Sequence, residues 1–146
     1  MGSQWKLSII SCLLVLSGCG IGRTTVRPEI YGQFEKTGPI ILDTVTGLEW
    51  QVGPDQNMTW DEAKAWADGL GGNWNMPTRA ELRGLWDAGI SSDNWGPFEN
   101  SGHWVWSGEL YDSSSAWYFS FATGTEYWLP RSASANFGRA FAVRSQ

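Results

Sequence analysis

Two observations predict an α+β fold: a pair of helix-start signals in the first half of the domain, and short apolar runs of strand character around and after them. Thr59 precedes Glu62, and Thr78 precedes Glu81, each at the spacing of a capping box, in which side chain and backbone exchange hydrogen bonds. Behind the first signal, Trp60, Ala63, Ala67 and Leu70 recur on one helical face until Gly71-Gly72 stops the segment. Behind the second, Leu82, Leu85 and Trp86 form the stripe and Gly89 is the expected stop.

The strand runs are residues 40–42, 48–51, 104–107, 117–121, 126–129 and 140–144. Residues 43–47 read as a tight turn joining the first two. Trp117, Phe119 and Phe121 alternate with Tyr118 and Ser120, the period of a half-buried strand, and Thr123-Gly124 turns the chain into the next run. Residues 90–103 form a long loop that is polar at Asp93, Asn94, Glu99 and Asn100 but carries Trp95. Long loops in compact domains are functional or disordered, and the aromatics argue against disorder. A second irregular segment, residues 130–138, precedes the last strand.

The chain has 146 residues, 42% of them apolar, which suits one ordinary domain. It contains 11 Trp, one His (His103) and two Cys, Cys12 and Cys19, so the body of the domain offers no disulfide, zinc cluster or cysteine nucleophile. Net charge is −5 and no stretch concentrates Lys or Arg, which excludes nucleic acid as the expected partner. A domain rich in indole and poor in reactive groups favours binding over chemistry.

The N-terminus reads as a targeting segment. Lys6 supplies a short basic region and residues 7–16 a mostly apolar stretch, too short to cross a bilayer, which needs about 20 residues. Leu16-Ser17-Gly18-Cys19 resembles the bacterial lipobox, in which the Cys is acylated and becomes the new N-terminus. Residues 1–18 are thus expected to be a lipoprotein signal peptide, Cys19 the lipidation site, residues 19–38 a flexible tether, and residues 39–146 the domain. More than one acyl chain on Cys19 gives stable attachment to membrane. Gly20, where an Asp would retain a lipoprotein at the inner membrane of enteric-type bacteria, points to the outer membrane of a bacterial cell envelope.

Four segments carry a family resemblance: Thr46-Gly47-Leu48-Glu49-Trp50-Gln51; Thr59-Trp60-Asp61-Glu62-Ala63 leading to Trp74-Asn75-Met76-Pro77-Thr78-Arg79-Ala80-Glu81-Leu82; Trp104-Val105-Trp106-Ser107; and Ala116-Trp117-Tyr118 with Arg139-Ala140-Phe141-Ala142-Val143-Arg144. Together they are similar to the Lcl C-terminal domain family. The resemblance implies a C-type-lectin-like fold, related to that of the formylglycine-generating enzyme, with two helices and small antiparallel sheets supporting long loops. It also implies binding of sulfated polysaccharide, as in a collagen-like adhesin of the family, but this chain lacks a collagen repeat and is acidic. Active-site cysteines of the formylglycine-generating type do not occur beyond Cys19, and no metal site is expected. The paired calcium motifs of lectins are incomplete, although Asp87, Asp93, Glu99 and Asn100 could offer oxygens to Ca²⁺ if their loop folds back.

Trp50, Trp60, Trp74, Trp86, Trp106 and Trp117 are expected in the core. Trp66 lies off the stripe of its helix. Trp95, Trp104 and Trp128 flank irregular loops, where an exposed indole meets the apolar C–H face of a sugar. Asp93, Asn94, Trp95, Glu99, Asn100, Trp104, Tyr127, Trp128 and Arg131 are therefore the candidate ligand-binding residues. For Asp93, Asn94, Glu99, Asn100, Tyr127 and Arg131 the alternative is a solvated loop, and His103 reads as structural. The expected function is non-catalytic binding of polysaccharide by a lipid-anchored envelope protein. A protein or peptide partner fits the same side chains, since Trp, Tyr and Arg dominate interface hot spots. A hydrolase using Asp93 with Glu99 or Glu109 is a more distant alternative.

Overall fold

The structure, a computed structural model, describes residues 25–134 and 138–146. The lipobox and Cys19 lie outside the described residues. Among those described are two helices and two sheets, mostly antiparallel, an α+β arrangement.

The first sheet contains β1 (Glu29–Tyr31), β2 (Phe34–Thr37), β3 (Ile40–Asp43) and β4 (Leu48–Val52), and β9 (Phe141–Ser145) joins it beside β4. The β3–β4 turn forms as its sequence predicts. Asp43 accepts the Val45 and Thr46 amides at 3.0 and 3.4 Å, and Gly47 takes φ 75°. The second sheet has the order β7 (Thr125–Pro130), β6 (Ser115–Ser120), β5 (Trp104–Leu110) and β8 (Gly138–Arg139), with only the β5–β8 pairing parallel.

One boundary moves. The segment expected to be a tether already contains β1 and β2, so the sheet begins at Glu29 rather than near Pro39. Polar residues disguise this hairpin, whose one fully buried side chain is Phe34.

Helices α1 (Trp60–Gly69) and α2 (Arg79–Asp87) start at the two expected capping boxes, both reciprocal. Glu62 and Glu81 amides donate to the Thr59 and Thr78 hydroxyls at 3.2 and 3.1 Å. Helix α1 is fastened to β5 by the Trp60 indole, which donates to the Ser107 carbonyl at 2.8 Å. Helix α2 packs Leu82 and Leu85 into the main core, which lies among Phe34, Ile41, Trp50, Phe119, Phe121 and Phe141.

The long loop has a structural task. Its 3-10 turn at Gly96–Phe98 drives Phe98 into the core, edge-on to Phe34 at 5.3 Å and stacked on Phe141 at 5.5 Å. Trp95 follows it inward, 8% exposed and 4.9 Å from the Phe121 ring. At the far end of the loop Trp104 is 9% exposed, against Trp106 and Tyr118.

Candidate functional site

The largest exposed aromatic group of the described residues gathers on β6, β7 and the turn before them. Strand β5 is irregular between Trp106 and Leu110, and the chain then turns at Tyr111 and Asp112 before entering β6. The turn is held by the Asp112 carboxylate, which accepts the Ser114 amide at 2.8 Å and the Ser114 hydroxyl at 3.1 Å. Those bonds, the Ser114 amide foremost, hold the Asp112 carboxyl below its ordinary range. This geometry sets the Tyr111 ring parallel to Trp128, 4.4 Å between centroids and 2° between planes. Both remain open to solvent, Tyr111 at 49% and Trp128 at 46%.

Trp117 completes the group. It is the cross-strand partner of Trp128 and meets Tyr111 edge-on at 5.5 Å. It was expected in the core with Phe119 and Phe121, but it is only half-buried, with the first residue of α2, Arg79, over its ring at 4.3 Å. Alternation finds the face of a strand, not where the covering helix ends.

Charges around the platform are matched. Arg79 donates to Glu109 at 3.3 Å and to Glu126 at 3.4 Å, and Arg83 lies 3.6 Å from Glu126. The Arg79 backbone amide also donates to Glu109 at 2.6 Å, so that this carboxylate caps α2. Burial pushes the Glu109 carboxyl up, but the amide and guanidinium of Arg79 outweigh it and the net shift is downward.

Of the residues expected to bind ligand, Trp128 alone belongs to this platform. Tyr127 is exposed on the opposite face of β7, 5.7 Å from Tyr118. Arg131 lies 4.5 Å over the Trp60 ring, ion-paired with Asp61 and donating to the Ser113 carbonyl at 3.3 Å. Asn100 shapes its own loop, donating to the Phe98 carbonyl and accepting the Gly102 amide, both at 2.8 Å.

Asp93, Asn94 and Glu99 are exposed. Asn94 lines an open cleft of about 490 Å³ between Tyr31–Phe34 and Ala88–Ile90, and Glu99 lines a smaller one with Lys36 and Pro97. Trp95 and Trp104 are core residues, which corrects their expected place at the surface: the aromatic side chains that would have lined a loop groove instead fill the interior. Among the described residues no three His, Cys, Asp or Glu side chains converge in a group that could hold a metal ion.

A family model for the Lcl C-terminal domain matches residues 39–142. The chain belongs to this family. No curated protein matches it significantly. Within the Lcl C-terminal domain lie both helices and every residue of the platform, whereas β1 and β2 precede the matched region. The terminal family motif also has a visible role. Arg139 is buried and donates to Asp55 at 2.6 Å, Asn57 at 3.0 Å and Ser101 at 2.7 Å, tying the loop before α1 to the long loop before β5.

Proposed function

We propose that this chain is a lipid-anchored bacterial envelope protein whose Lcl C-terminal domain binds glycan without transforming it, on a C-type-lectin-like scaffold. The observation that carries the reading is the exposed, parallel Tyr111–Trp128 pair with Trp117 beside it. Flat aromatic surface accepts the C–H face of a sugar ring, while Glu109, Glu126 and Arg79 at its edge suit hydroxyl groups. The platform replaces the loop constellation as the expected contact surface.

Binding without catalysis is supported by the use already made of the local acids. Glu109 and Glu126 are both committed to Arg79, which leaves neither as a free partner in an acid–base pair. Asp93 and Glu99 stand apart from the platform, and unchanged turnover of a bound glycan in Asp93→Asn and Glu99→Gln would remove them as hydrolytic residues.

The anchor is Cys19, with the outer membrane as its site. At about 3.5 Å per residue, the segment from Cys19 to β1 reaches about 35 Å at full extension, which holds the domain near the bilayer. Palmitate labelling of the wild type and Cys19→Ser tests this, and equal membrane association of the two would refute it. A glycan array followed by titration tests the domain.

A second reading has one observation in its favour. Strand β7 pairs with β6 on one side and is the outer strand of its sheet among the described residues, an edge to which an extended peptide of an envelope protein could add. A stable co-purifying protein, together with no carbohydrate affinity, would decide for it.

A further inference from the structure

We infer that the ligand of the Tyr111–Trp117–Trp128 platform is an uncharged, hydroxyl-rich glycan and not a sulfated or otherwise polyanionic one. The inference rests on the glycan-binding reading and concerns the charge class of the ligand. A polyanion is held by cations free to meet it, and the domain does not offer them at this surface.

Each arginine from Arg79 onward already faces a carboxylate: Arg79 with Glu109 and Glu126, Arg83 with Glu126, Arg131 with Asp61, Arg139 with Asp55, and Arg144 with Glu49. A sulfate approaching Arg79 would have to displace two carboxylates and would then lie among them. Like charges at such separations repel, and the chain as a whole carries −5. The guanidinium faces are occupied as well: Arg79 covers Trp117 at 4.3 Å and Arg83 covers Phe119 at 5.3 Å.

What remains available is apolar ring surface on Tyr111 and Trp128, together with carboxylate oxygens and guanidinium N–H groups held in fixed positions. Those groups accept and donate to hydroxyls without a net charge to neutralise. The expected attraction is therefore stacking and hydrogen bonding, which salt screens little, in contrast to attraction between exposed charges.

Matched polymers test this directly: dextran, laminarin, xylan and galactomannan, each in its native and its chemically sulfated form, in affinity electrophoresis and titration against the domain. The expected result is retention by at least one native polymer, changing less than about twofold between roughly 50 and 500 mM NaCl. Sulfation of that polymer is expected to weaken retention. Trp128→Ala should weaken it by about tenfold, and Tyr111→Ala, across the stack, should do likewise, both still folded at the temperature of the binding assay. Glu126→Gln, which removes the carboxylate partner of Arg83 and leaves Arg79 with Glu109 alone, should gain affinity for the sulfated forms. Retention by sulfated polymers alone, lost at high salt, would overturn the charge assignment while leaving glycan binding in place. Unchanged binding of a native polymer in both aromatic variants would overturn the platform as its site. Retention by no polymer of either class would overturn the glycan reading itself.

Discussion

The Tyr111 phenol and the Trp128 indole lie parallel at 4.4 Å although both are about half exposed. Two solvent-facing rings held this way form a surface ordered before any ligand arrives, which lowers the entropy lost on binding. An aromatic pair contributes about 0.5–1.5 kcal/mol beyond its area burial. A double-mutant cycle in urea with Tyr111→Ala and Trp128→Ala should return a coupling of that size, with each single variant still folded. A coupling near zero would show that the rings are not held together in solution.

Trp95 gives the opposite expectation. It lies 4.9 Å from Phe121 and 5.9 Å from Phe141, inside the core and away from the platform. Trp95→Ala should destabilise the domain by about 3–5 kcal/mol, the usual cost of emptying a buried aromatic site. Chemical denaturation measures this, and a stable variant that had lost only ligand affinity would restore Trp95 to the binding surface.

Acid should unfold the domain through its paired carboxylates. The Ser101 amide holds the Asp55 carboxyl below its ordinary 3.8, aided by Arg139, and the Arg144 guanidinium holds Glu49 below 4.5, aided by Gln146. A carboxylate whose folded value is depressed contributes stability that is present above its unfolded value and lost as pH falls through the folded one. Unfolding temperature should therefore be insensitive to these two groups above about pH 5 and fall progressively below about pH 4.5. Asp55→Asn and Glu49→Gln should each lower the neutral-pH value and flatten the acid limb. An acid limb unchanged in both variants would mean that other groups carry it.

Much of this fold is legible in the sequence because the helix starts, the glycine stops and the strand alternation are local signals. Thr59 with Glu62 and Thr78 with Glu81 specify their caps without reference to anything distant. The β1–β2 hairpin escapes such reading, since Glu29, Glu35 and Lys36 mask a strand whose pairing with β3 is a tertiary fact. The platform is harder still. Tyr111 and Trp128 meet only through the β5–β6 turn and the β6–β7 register, and Trp117 is left half-open because α2 begins at Arg79 and covers Phe119 instead. An aromatic count cannot distinguish Trp95, which plugs the core, from Trp128, which does not.

The turn between β6 and β7 supplies the last prediction. Gly124 has φ 71°, and a Cβ there would stand 2.5 Å from the Trp86 ring, whereas Gly47, at φ 75° in the β3–β4 turn, has open space around it. Both positions require the left-handed backbone, which costs a residue with a Cβ about 1–2 kcal/mol. Only Gly124 adds the displacement of a half-buried indole that packs against Phe119, and overpacking of that kind costs about 1–3 kcal/mol. Gly47→Ala should accordingly lose about 1–2 kcal/mol and Gly124→Ala about 2–5 kcal/mol in denaturant titration. Because Thr125 and Glu126 follow directly, the Gly124→Ala shift should also disturb the Glu126 contacts to Arg79 and Arg83 and weaken ligand binding, while Gly47→Ala leaves binding intact. Equal losses from the two substitutions would show that the chain bends around the added methyl group and that the packing of Trp86 does not set the position of β7.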